Sequence, residues 1–187
     1  MGFYLTQYGS YKNFCEAKAI ERVFKDLIEC WKIYNADKKI PDEDVVKQIN
    51  SGDCGMMAIA AYHVLKFGFG IELDICMIHN HCWLSHNNID YDTVHPSGYP
   101  KEGAEATWLQ VHTNETIQPK TRVSFHLACG IWMPCDVFGA YFIKGVISKY
   151  NVQFPVELKH ILDNEEKFDS PDWIERYKNQ CIKLRQR

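Results

Sequence analysis

Residues 48–55, Gln48-Ile49-Asn50-Ser51-Gly52-Asp53-Cys54-Gly55, run straight into an apolar segment from Met56 to Phe67, and the fold turns on this junction. Gly52 and Asp53 break the chain just before Cys54. Met57, Ala60, Ala61, Val64 and Leu65 then follow in a stretch that is apolar nearly all round, so the pattern predicts a buried helix starting at the cysteine and ending at Gly68 and Gly70. Unpaired N–H groups and the dipole at a helix start favour a thiolate. Cys54 is therefore the candidate reactive residue, and such a residue needs a base within hydrogen-bond reach and a partner that orients the base.

The segment downstream supplies both. Ile71, Leu73, Ile75 and Met77 alternate with polar residues and predict a half-buried strand. Asn87-Asn88 then separates two further strand-like runs and reads as a two-residue hairpin loop. In that register His86 faces Ile89, Trp83 faces Asp92 and His81 faces Val94. His81, Trp83 and Ser85 then share a face with Asp90 and Asp92, because side chains alternate across a strand. His81 and Asp92 become diagonal neighbours, roughly 7–8 Å apart at the backbone, a gap that a histidine and an aspartate close with one hydrogen bond. The aspartate would fix the imidazole tautomer while the other ring nitrogen serves Cys54.

Gly52-Asp53-Cys54-Gly55 opening a helix, followed by His81-Cys82-Trp83 and then Tyr91-Asp92-Thr93, resembles the Cys-His-Asp order of the transglutaminase-like branch of papain-fold cysteine enzymes. The resemblance covers roughly residues 48–96. It implies Cys54 as nucleophile, His81 as base and Asp92 as orienter. Gln48, six residues before Cys54, is similar to the oxyanion-hole glutamine of papain-like peptidases, and Asn50 is the alternative donor.

Around this centre, Ile20, Val23, Phe24, Leu27, Ile28 and Trp31 predict a helix from Cys15 to about Asn35, preceded by an aperiodic arm over residues 1–13. Pro41-Asp42-Glu43-Asp44 reads as the start of a short helix running towards Gln48. Residues 95–120 are rich in Pro and Gly and read as a substrate-contacting loop. Arg122 to Trp132 reads as a strand. Helices are expected over Pro134 to about Tyr150, Pro155 to Glu166 and Asp172 to about Leu184.

The 187 residues, 46% of them apolar, suffice for one domain spanning 1–187 with an α+β fold: a buried Cys-bearing helix on a small antiparallel sheet, flanked by further helices. The 24 acidic and 21 basic residues are interspersed, so no basic footprint for nucleic acid is visible. No run of about 18 apolar residues exists, and the start lacks a secretory pattern; the expectation is a cytoplasmic protein with no membrane partner. Most of the eight cysteines are expected as free thiols.

A competing arrangement is a zinc site from Cys76, His79, His81 and Cys82, which would require a bend near Asn80. The chemistry expected instead is acyl transfer from an amide or isopeptide bond through a thioester, without a cofactor, with a peptide or protein as substrate. A peptidase or amidohydrolase comes first. Transglutaminase, deamidase and N-acyltransferase use the same groups, and a non-catalytic binding module on this fold is the alternative of another class.

Overall fold

The computed structural model describes residues 8–78, 81–99, 121–132 and 136–186. It is a mixed helix-and-sheet structure with a four-stranded antiparallel sheet in the order β3-β2-β1-β4. The strands are β1 (Asp74–Ile78), β2 (His81–His86), β3 (Ile89–Tyr91) and β4 (Thr121–Val123). The helices are α1 (Tyr11–Tyr34), α2 (Val45–Gln48), α3 (Cys54–Phe69), α4 (Phe125–Trp132), α5 (Val137–Lys149), α6 (Val156–Leu162) and α7 (Pro171–Arg185).

Helix α3 is the hub. Eleven of its residues are buried, Cys54 and Gly55 among them, and it touches α1, α4, α5, β1 and β2. Met57, Ile59 and Leu65 are at most 1% exposed, each worth about 1.5–3 kcal/mol of burial. Its C-terminus is set by Gly70 at φ 68°, where the N–H of Gly70 donates to Lys66 and that of Ile71 to Leu65, closing the last turn. Helix α1 buries the stripe Ala17, Ile20, Val23, Phe24, Leu27, Cys30, Trp31 and Tyr34. It starts four residues before the expected Cys15, because Ser10 caps it: the Ser10 hydroxyl accepts from the Asn13 N–H at 3.1 Å. Residues 11–13 are thus helix rather than aperiodic arm.

The hairpin has the expected register. Leu84 pairs with Tyr91, Ser85 with Asp90 and His86 with Ile89. Asn87 and Asn88 both take positive φ (50° and 62°), the geometry that joins tightly twisted strands in two residues. The β1 strand differs from expectation. It is central in the sheet, and Cys76 is fully buried while Met77 is only half-buried, so β1 is covered on both faces rather than one. By alternation Ile75, Cys82 and Leu84 join the helical core, while Cys76, Ile78 and Trp83 form a second apolar cluster with Tyr99.

The expected strand over Arg122 to Trp132 is also corrected: β4 stops at Val123 and α4 begins at Phe125. Ser124 causes the switch, its hydroxyl accepting from the Leu127 N–H at 3.2 Å and its carbonyl from the Ala128 N–H at 2.9 Å. Most of the expected substrate loop, residues 100–120, lies outside the described residues.

Candidate active site

The turn before Cys54 is a wide helical loop, Ile49–Asp53, with Gly52 (φ 165°, ψ −26°) departing from helical geometry. Asp53 makes no side-chain cap on α3. Its carboxylate accepts instead from the Trp31 indole N–H at 2.8 Å, tying α1 to the residue before Cys54. Burial raises the Asp53 pKa, against the opposing effects of Trp31 and Lys38. Cys54 itself is 4% exposed at the first position of α3.

His81 and Asp92 meet as the hairpin places them. His81 Nε2 lies 2.7 Å from Asp92 Oδ2, with both side chains almost wholly buried. That contact uses Nε2, so Nδ1 is the nitrogen available to serve the Cys54 thiol, a neighbour that raises the His81 pKa. Trp83 lies nearly parallel to the imidazole, 5.7 Å away and tilted by 21°, and holds its plane. Burial works against an imidazolium here, but the Asp92 hydrogen bond and the neighbouring Cys54 outweigh it and raise the His81 pKa from 6.5 to about 9. Cys54, His81 and Asp92 therefore lie together, with His81 hydrogen-bonded to Asp92 and Cys54 beside it.

Asp92 is held from four sides. Its Oδ1 accepts from the backbone N–H groups of Val94 and His95 at 2.8 and 2.9 Å. Its Oδ2 accepts from His81 and from the Tyr99 hydroxyl, both at 2.7 Å. Burial would raise the Asp92 pKa, yet these partners together lower it, so the group stays a carboxylate.

Of the two oxyanion candidates, Gln48 is exposed at the last position of α2. Asn50 is turned inward. Its amide nitrogen donates to the Val46 carbonyl at 2.8 Å and to Thr93 Oγ1 at 3.0 Å, which occupies both amide N–H groups and leaves an oxygen, a group that cannot stabilise an anion. The amide connects the turn before Cys54 to the residue after Asp92.

Among the described residues no group of three His, Cys, Asp or Glu side chains is placed to hold a metal. Cys76 and Cys82 point to opposite faces of the sheet, His81 Nε2 is engaged by Asp92, and His79 lies outside the described residues. Three contributors were not foreseen from sequence: Tyr99, Thr93 and Trp31. Trp31 and Thr93 act through contacts across the fold, and Tyr99 through a return of the chain only seven positions long. Gly98, next to Tyr99, was the available sign of a tight return.

No protein-family model, curated protein or solved structure matches the chain.

Proposed function

We propose that the protein is a cysteine-dependent acyl-transfer enzyme with a papain-like or transglutaminase-like arrangement, acting on amide or isopeptide bonds. The observation that carries this is His81, hydrogen-bonded to Asp92 through Nε2 and flanked by Cys54, both of which raise its pKa. A buried imidazole poised between a thiol and a carboxylate is what nucleophilic catalysis by cysteine requires.

With its pKa near 9, His81 carries a proton at neutral pH, and an imidazolium beside the sulfur favours thiolate. The thiolate adds to the amide carbonyl and forms the C–S bond. The collapsing intermediate expels the amine, which leaves with the proton from His81. The thioester remains on Cys54. Water then attacks it, His81 accepts the water proton, and the C–S bond breaks to release the acid and restore the pair. Exposed Gln48, rather than inward-turned Asn50, has a side-chain donor to offer the oxyanion, alongside the backbone N–H groups that open α3.

p-Nitrophenyl acetate, a small activated acyl donor, tests the reaction. The expected result is a burst of nitrophenolate and a peptide map with acetyl on Cys54, both lost in Cys54→Ser and slowed at least tenfold in His81→Ala. Cys15 is the internal control because it is exposed. Acetylation at Cys15 with none at Cys54 would remove the enzyme reading and leave the binding module.

A further inference from the structure

The hydrogen bond from Tyr99 to Asp92 belongs to no part of the catalytic chain described so far, and the local structure is built to make it. After β3, residues 95–98 turn back on themselves, the Gly98 N–H donating to the His95 carbonyl at 3.0 Å. Gly98 sits at φ 101°, where side chains are strained, and a Cβ there would lie 2.7 Å from Ile89 Cγ2 and 3.2 Å from the Tyr91 ring. Only glycine allows this return. The next residue is pinned at its backbone, the Tyr99 N–H donating to the Asp90 carbonyl at 2.8 Å. Its ring is buried beside Trp83, Cys76 and Ile78, and its hydroxyl reaches Asp92 Oδ2 at 2.7 Å. Trp83 in turn stacks on His81.

We infer that Tyr99 is a positioning residue: it shares the carboxylate oxygen that receives His81 and thereby sets the proton affinity and the orientation of the imidazole. Two hydrogen bonds to one oxygen divide its charge between them, so the hydroxyl restrains how strongly Asp92 holds the imidazolium. Burial and the neighbouring Asp92 both keep the Tyr99 hydroxyl protonated, so it remains a donor throughout the working pH range. The other titratable groups in the neighbourhood include Cys54 from α3, Cys82 beside Cys54, Cys76 from β1 in the Tyr99 cluster, Asp90 acting on Tyr99, and His95, whose ring lies 4.3 Å from that of Tyr99.

For its consequence on rate this inference rests on the acyl-transfer reading, but its effect on His81 does not. Histidine-labelled protein, titrated by 1H–15N NMR with His81 assigned through His81→Gln, reads the imidazole directly. Tyr99→Phe keeps the ring and both backbone bonds to Asp92, so the carboxylate stays in place while the oxygen loses one donor. The expected result is a His81 pKa raised by about half a unit or more, roughly threefold in proton affinity. The alkaline limb of p-nitrophenyl acetate turnover should move the same way. Gly98→Ala should displace Tyr99 and produce the same shift, and combining it with Tyr99→Phe should shift His81 no further.

An unchanged or lowered His81 pKa in Tyr99→Phe overturns the inference, since packing alone would then explain the residue. A further shift on adding Gly98→Ala to Tyr99→Phe overturns the link through the turn. If His81 shifts as expected but Cys54 is never acylated, the acyl-transfer reading falls and Tyr99 keeps its role. If Cys54 is acylated while His81 does not move, the reverse holds.

Discussion

Asp92 carries more of the site than any other residue, because four donors converge on it and its charge stabilises a buried imidazolium. Truncating one partner of such a pair is costly, and Asp92→Ala should lower stability by about 3–5 kcal/mol in urea denaturation. Asp92→Asn is the finer probe. It keeps the shape and removes the charge that raises the His81 pKa, so the alkaline limb of activity should fall from near pH 9 towards neutrality. Stability should follow the same groups. The raised His81 contributes fully below its unfolded pKa of 6.5, and that contribution is lost as pH rises through about 9. The lowered Asp92 contributes above its ordinary 3.8 and loses its contribution as pH falls below that. The difference in urea midpoint between wild type and Asp92→Asn should therefore be largest between about pH 4 and 6.5, and a difference independent of pH would contradict the pairing. At this scale the sequence was informative where the contacts are short-range. His81 and Asp92 are 11 positions apart across a loop whose length could be read. Asn50 to Thr93, 43 positions apart, and Trp31 to Asp53, 22 apart, depend on how whole helices dock, which residue types and spacing do not encode.

At the level of elements, periodicity located α1, α3, α5 and α7, because each has a stripe that must be buried. It failed at α4, where Phe125, Ala128, Cys129 and Trp132 in fact keep helical spacing. The apolar density of the run hid that spacing, and the cap at Ser124 was the missed signal. It also failed on β1, since nothing in a single strand says that a second cluster covers its outer face. Close packing between elements gives a sharper test. Helices α5 and α7 approach so nearly at Gly145 that an added Cβ would meet Leu184 Cδ1 at 2.9 Å and the Cys181 carbonyl at 3.2 Å. The carbonyl belongs to a helix and cannot yield, so Gly145→Ala should cost about 1–3 kcal/mol. Gly130, in α4, has nothing within 4 Å of the same added atom, and there alanine should gain roughly 0.5–1 kcal/mol. Thermal unfolding of the two variants should move Tm in opposite directions, and equal shifts would refute the tight contact.

On the scale of the whole molecule, one apolar core runs from α1 to α7 and encloses α3, so the cysteine sits where the helical body meets the sheet. No helix among the described residues is long and apolar enough to cross a membrane. The two halves of the site come from different kinds of contact. His81 and Asp92 need only the hairpin, and hairpins close in about 1–10 μs. Cys54 stands 27 positions from His81 and reaches it only when α3 docks against the sheet, a non-local step that costs loop entropy and is slower. In stopped-flow refolding, change in Trp fluorescence from the hairpin should precede recovery of nitrophenyl-ester acylation, and their simultaneous return would mean that hairpin and helix dock as one unit. The Asn87-Asn88 loop thus has a temporal consequence: on refolding, His81 and Asp92 should come together first, and Cys54 should reach them only once the chain around it has closed.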